Sequence, residues 1–171
     1  FAIVENFFPS GLGMPSFTLL GQSIVRRGYT QPYSLGHEIV HSWLGNSVFN
    51  DFAKGNWVEG LTTYLANYYY DEATGNHAAA IKTRRRMMDE YNLYTTPEKD
   101  YPIRHFHHKE TRIDNAVGYQ KTALVFHMLR QELGDDAFFN SVRQIIQEGT
   151  GQYIEWKDLK RIFSQVAGQD L

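Results

Sequence analysis

The sequence contains no cysteine. Disulfides and thiolate-ligated metal sites are therefore excluded, and any metal held by side chains must be held by His, Asp or Glu. Strong charge of either sign is also missing: 17 Lys and Arg stand against 19 Asp and Glu, for a formal net charge of −2. That balance gives no electrostatic reason for a nucleic acid or an anionic membrane to be the main partner. No apolar run is long enough to span a bilayer, and no repeat or low-complexity tract occurs. The chain opens at Phe1 without an initiator Met, a charged n-region or a cleavage site, so compartment is not legible and the ends read as cut. With 171 residues, 42% of them hydrophobic, one globular domain from a longer chain is expected. Oligomeric state cannot be read.

What is present is patterned. Residues 1–31 carry two β-branched and aromatic runs, "FAIVENFF" and "FTLLGQSIV", on either side of the Gly- and Pro-rich "PSGLGMPS". This predicts two strands and a loop. Two strands alone seldom make a stable sheet, so further strands are expected upstream. From Tyr33 onward helical periodicity takes over, with Ser34 a candidate N-cap and Gly45 a stop. Further helices are predicted from about Trp57 to Glu72 and near 77–92, 116–133, 135–148 and 155–167. The predicted fold is mainly α, α+β overall: a β segment over 1–31 followed by a helical body over 32–171.

The segment "HEIVHSWLGN", residues 37–46, places His37 and His41 four apart in a helix. Positions i and i+4 share a face, so both imidazoles can point at one zinc ion. Glu38 projects about a quarter-turn to the side. It is poorly placed as a ligand but can reach a metal-bound water, whose proton a carboxylate can take. Catalytic zinc needs three protein ligands and an open position. Glu59 begins the next predicted helix in "NWVEGLTTYLANYYY", and a short loop between antiparallel helices would bring it back to the histidines. A carboxylate there could instead only cap its helix, and Asp51, in the loop, is the competing ligand.

These segments resemble the gluzincin metallopeptidases of the membrane alanyl aminopeptidase and leukotriene hydrolase type. "HEIVHSWLGN" is similar to their H-E-x-x-H-x-W-x-G-N, and "NWVEGLTTYL" to the W-L-N-E-G helix that carries the third zinc ligand. "AVGYQKTALVFHMLRQELGDDAFF" resembles their catalytic-tyrosine segment, and "WKDLKRIFSQVAGQDL" the end of their catalytic domain. The resemblance implies one thermolysin-like catalytic domain over residues 1–171, with zinc as cofactor and a peptide as substrate. It implies His37, His41 and Glu59 as zinc ligands, Glu38 as general base, Tyr119 as oxyanion donor, and removal of N-terminal residues as the activity. An endopeptidase, a non-peptide zinc hydrolase and a non-catalytic interaction domain are the alternatives.

Three departures stand out. Seventeen residues separate His41 from Glu59, one fewer than the family usually shows, and Val58 replaces the usual Asn. Thr122 stands where the family has Gly, which reads as a packing change. The G-A-M-E-N motif, whose glutamate holds a substrate's free amine, has no clean counterpart: "GLGMPS" lacks a carboxylate, and "VENF" around Glu5 lies farther upstream.

Other residues invite weaker readings. His105, His107 and His108 form a candidate second metal site without a spaced carboxylate partner. The basic run "KTRRRMMDE" is expected to fan around a helix instead of lining one face. Tyr64 and Tyr68 are expected in the core, as is His127 within "ALVFHML".

Overall fold

The computed structural model describes residues 1–26 and 33–171, so the expectation of β structure up to residue 31 falls partly outside the described residues. Strands β1 (Ala2–Asn6), β2 (Gly11–Met14) and β3 (Phe17–Gly21) form one sheet in the order β1-β3-β2. β3 is parallel to β1, with Glu5 opposite Leu20, and antiparallel to β2, with Gly11 opposite Leu20 and Gly13 opposite Thr18. β2 corrects the sequence reading, which makes "GLGM" a loop. Glycine is a poor strand former, but the two-residue turn Pro15–Ser16, with Ser16 at φ 69°, folds the segment onto β3. Ladder pairing then overrides local preference. The second predicted strand is also shorter than expected, because Gln22–Arg26 forms a helix, α1.

Helix α2 (Leu35–Val40) follows Ser34, which makes no side-chain capping bond. It ends before the predicted stop. Ser42 N–H donates to Ile39 O and Trp43 N–H to Val40 O, so the last turn tightens to three-residue bonds. Gly45, at φ 106°, then turns the chain away. The next helix runs continuously through α3 (Val58–Thr63), a π-helical stretch (Tyr64–Tyr69) and α4 (Tyr70–Ala73). α5 (His77–Tyr94) is capped by the Asn76 side chain. A second composite helix opens on a Thr111–Asp114 capping box and runs through α6 (Arg112–Asp114), a π-helical stretch (Asn115–Lys121) and α7 (Thr122–Leu133). It starts earlier than residue 116 because that box satisfies the first amide groups. α8 (Asp135–Gly149) and α9 (Trp156–Ala167) complete the helical body.

The core gathers Trp57, Leu61, Tyr64, Phe126, Phe138, Ile145, Ile162 and Phe163. Trp57 is fully buried and donates its Nε1–H to Ile154 O at 2.7 Å, which anchors the residue just before α3. Close packing at glycine sets the helices that bear the site. A Cβ on Gly60 would collide with Thr122 and lie 3.2 Å from Gly118 O, while one on Gly118 would enter the Phe106 ring. α3 and the second composite helix therefore meet at small residues, next to Glu59 and Tyr119.

Several of the weaker readings are decided by this packing. Tyr64 and Tyr68 are buried and stack at 5.4 Å. His127 is only half-buried, lying 3.5 Å from the Tyr64 hydroxyl and 3.1 Å from an Arg84 amine, so it is satisfied at the edge of the core and not within it. The consecutive arginines do fan out: Arg84 meets His127, Arg86 reaches toward Glu90, and Arg85 is exposed.

Candidate metal centre

His37 lies within α2 and His41 caps its C-terminus one turn later, so the two rings stand 4.7 Å apart between centroids. Glu59, the second residue of α3, faces both. Its Oε2 lies 3.1 Å from His37 Nε2 and 3.4 Å from His41 Nε2. These spacings fit zinc, because a tetrahedral ion with bonds of about 2.0–2.1 Å keeps its ligand atoms roughly 3.3 Å apart. Among the described residues these three form the one His/Asp/Glu group whose ligand atoms all lie within 4.8 Å of one another. Two imidazole nitrogens and a carboxylate oxygen suit a catalytic zinc ion. His41 Nδ1 is 2.9 Å from Leu44 O. A carbonyl only accepts, so Nδ1 carries a proton, and Nε2 is the nitrogen left for a metal once it gives up its own.

The two carboxyl groups here respond to opposite forces. Burial works against charge on Glu59, but hydrogen bonds from His37 and His41 outweigh it and hold the carboxyl well below the usual range. At Glu38 burial wins over the two histidines and raises the pKa. One acid is thus held ionised while the other accepts a proton more readily. Tyr119 emerges from the π-helical stretch with its ring 6.1 Å from that of His37, inclined by 19°. Burial, then the Glu59 and Glu38 charges, push its phenol above the ordinary value and keep it a hydrogen-bond donor.

His37, Glu38, His41, Glu59 and Tyr119 line one cleft of about 690 Å³, whose wall includes Ser10 to Gly13 at the start of β2. Asp51 also lines it, but accepts the Ala53 N–H at 3.0 Å to cap a short 3-10 turn and stays outside the ligand group. Glu5 stands on β1, with β3 between it and β2, and does not line the cleft. His105, His107 and His108 border one pocket with Glu110 and Asp114, but their ligand atoms do not come together as a metal group. His105 accepts from Arg104, His107 bonds Phe52 O, and His108 pairs with Glu110 at 2.8 Å.

Two asparagines that sequence reasoning overlooks hold the site in place. Asn56 Oδ1 accepts the Glu59 N–H at 3.4 Å while its Nδ2 donates to His107 O at 3.1 Å. An Asn three residues before a helical acid is a helix-start signal, so this one was findable. Asn46 Nδ2 donates to Gly13 O at 3.1 Å. No local pattern announces a contact so distant in the chain.

Residues 31–171 match the Peptidase family M1 domain. The chain belongs to peptidase family M1. It is similar to Aminopeptidase 2, mitochondrial, of Saccharomyces cerevisiae, at 24% identity over 140 residues covering 79% of this chain and 15% of that protein. It is also similar to aminopeptidase RNPEPL1 of Homo sapiens, at 26% identity over 164 residues covering 92% of this chain and 21% of that protein. Its fold is similar to that of a variant of the M1 zinc metallopeptidase of Deinococcus radiodurans, solved with a Tyr-Ser-Ala substrate. That likeness has a TM-score of 0.73 at 23% identity and covers 97% of this chain and 36% of that one. This M1 chain therefore spans well under half the length of each of these proteins.

The departures from the M1 pattern have physical answers. The shorter spacing leaves Glu59 in reach of both histidines, because buried Trp57 fixes the start of α3. Val58, in place of the usual Asn, is buried beside Gly45. Thr122 is a packing change: its hydroxyl donates to Val117 O at 2.9 Å and its methyl covers Gly60. The M1 fold seen here is the mainly helical, thermolysin-like one with a short N-terminal sheet.

Proposed function

We propose that this chain is one catalytic domain of a longer zinc-dependent M1 peptidase that removes N-terminal residues from peptides. The observation that carries the reading is the convergence of three ligand atoms, a buried carboxyl and a partly buried phenol in a single cleft. His37, His41 and Glu59 are assigned to hold zinc. A zinc ion there would supply a bound water acidic enough to lose its proton near neutral pH. Glu38 takes that proton and passes it to the leaving amine. Tyr119 donates a hydrogen bond to the oxyanion. Zinc content, together with a panel of aminoacyl, peptide, ester and epoxide substrates, tests the reading. Metal-loaded protein that hydrolyses only esters or epoxides would replace it with a non-peptide hydrolase.

Tyr119→Phe is expected to lower kcat by about 10²-fold, with little change in KM, because the bond forms mainly in the transition state. Steady-state kinetics on one peptide series decides it. A change confined to KM would leave the tyrosine a role in binding alone.

A second reading is favoured by one observation: β2 borders the cleft without a carboxylate, and Glu5 is not there to replace it. Hydrolysis would then not require a free amine. We expect the exopeptidase preference to persist through another acid, Asp51 being the one in the cleft wall. The comparison is kcat/KM for matched free and N-acetylated peptides, and equal values would reject an aminopeptidase.

A further inference from the structure

Resting on the peptidase reading, we propose that Gly11 and Gly13 are positioning residues whose missing side chains form the seat that fixes the Glu38 carboxylate. A Cβ on Gly11 would lie 2.7 Å from Glu38 Cδ and 3.0 Å from its Cγ, and closer still to Oε1. One on Gly13 would lie 2.8 Å from Glu38 O, 2.9 Å from His41 Cβ and 3.3 Å from Glu38 Oε2. Residues two apart in a strand face the same side, so one face of β2 is flattened at both points where it meets Glu38. Between them Leu12 turns outward, 49% exposed.

Backbone conformation does not ask for glycine at either place. Neither residue has positive φ, and glycine weakens a strand interior unless another group must approach the backbone closely. The approaching group here is the carboxyl of Glu38. Gly13 also ties the strand to the far end of the helix: its carbonyl accepts from Asn46 Nδ2 at 3.1 Å, just beyond α2. Strand and helix end are thus tied together around the carboxylate. "GLGM" serves the base, which gives a physical reason for its lack of a carboxylate of its own.

A double-mutant cycle on the intact protein tests this, with Glu38→Asp as the second mutation. Gly11→Ala in the wild-type background should push the carboxyl aside by roughly 1 Å and lower kcat by about 10²-fold, with zinc content and KM kept. Asp is shorter by one carbon–carbon bond, about 1.5 Å, and leaves room for the methyl. In the Glu38→Asp background Gly11→Ala should therefore cost less than about 3-fold, a coupling expected only for groups in contact. Should Gly11→Ala alone not fold, recovery of a cooperative melt in the Gly11→Ala, Glu38→Asp double variant reads the same coupling, because only Gly11 meets Glu38 solely through its side chain. Gly149→Ala, whose Cβ would lie 2.7 Å from Val48 Cγ1 and 2.8 Å from Ile154 Cγ1 and away from Glu38, is the structural control, with equal losses in both backgrounds. Equal losses for Gly11→Ala in the two backgrounds, or a double variant no more stable than Gly11→Ala alone, would overturn the proposal. A wild-type protein with zinc but no peptide turnover overturns the peptidase reading, and this inference with it.

Discussion

Glu38→Gln is expected to keep zinc and the fold and to lose between about 10² and 10⁴ in kcat, the usual worth of a general base. The substitution is isosteric, so the amide fills the same space beside Gly11 and Gly13. What disappears is the ability to take a proton. Glu38 is only 8% exposed, so bulk water has little access to stand in for it. Metal analysis, a thermal melt and steady-state turnover on a single preparation separate the three properties. Wild-type turnover in this variant would remove Glu38 from water activation.

Glu59→Ala is expected to abolish tight zinc binding, and activity with it. Two histidines on α2 remain, and catalytic zinc sites use three protein ligands. The fold should survive. Asn56 still accepts the amide of residue 59, and buried Trp57 still anchors the helix start. Zinc stoichiometry after exchange against a chelator is the measurement. Retention of one zinc per chain would hand the third position to another acid, with Asp51 the first to mutate next because it lines the same cleft.

The metal centre was legible because ligand chemistry restricts residue type and helix geometry restricts spacing. His37, His41 and Glu59 could be named from those two constraints together with the family pattern, and the structure brings their ligand atoms together. Helices such as His77–Tyr94 and Trp156–Ala167 were legible from periodicity and end signals. β2 was not, because nothing local favours a strand in "GLGM"; its pairing is with a strand on the far side of a turn. The early end of α2 was hidden for a similar reason, since Gly45 marks where the chain turns and not where the helical bonds stop. His127 sits in an apolar run, yet it points to the boundary where Arg84 arrives from α5. One-dimensional hydrophobicity does not carry that contact.

The helices that bear Glu59 and Tyr119 each contain a π-helical stretch, Tyr64–Tyr69 and Asn115–Lys121. A π turn holds one residue more than an α turn, so everything beyond it is rotated by about 100° relative to everything before. Each stretch is therefore a place where the helix can take in or shed a single residue. In the first helix Glu59 precedes the stretch, so such a change would rephase Tyr70 and the rest of α4 beyond it while the metal end kept its aim. In the second, Tyr119 lies inside the stretch. Losing a residue there would swing the hydroxyl away from the cleft, which makes this helix the less forgiving of the two to insertion and deletion.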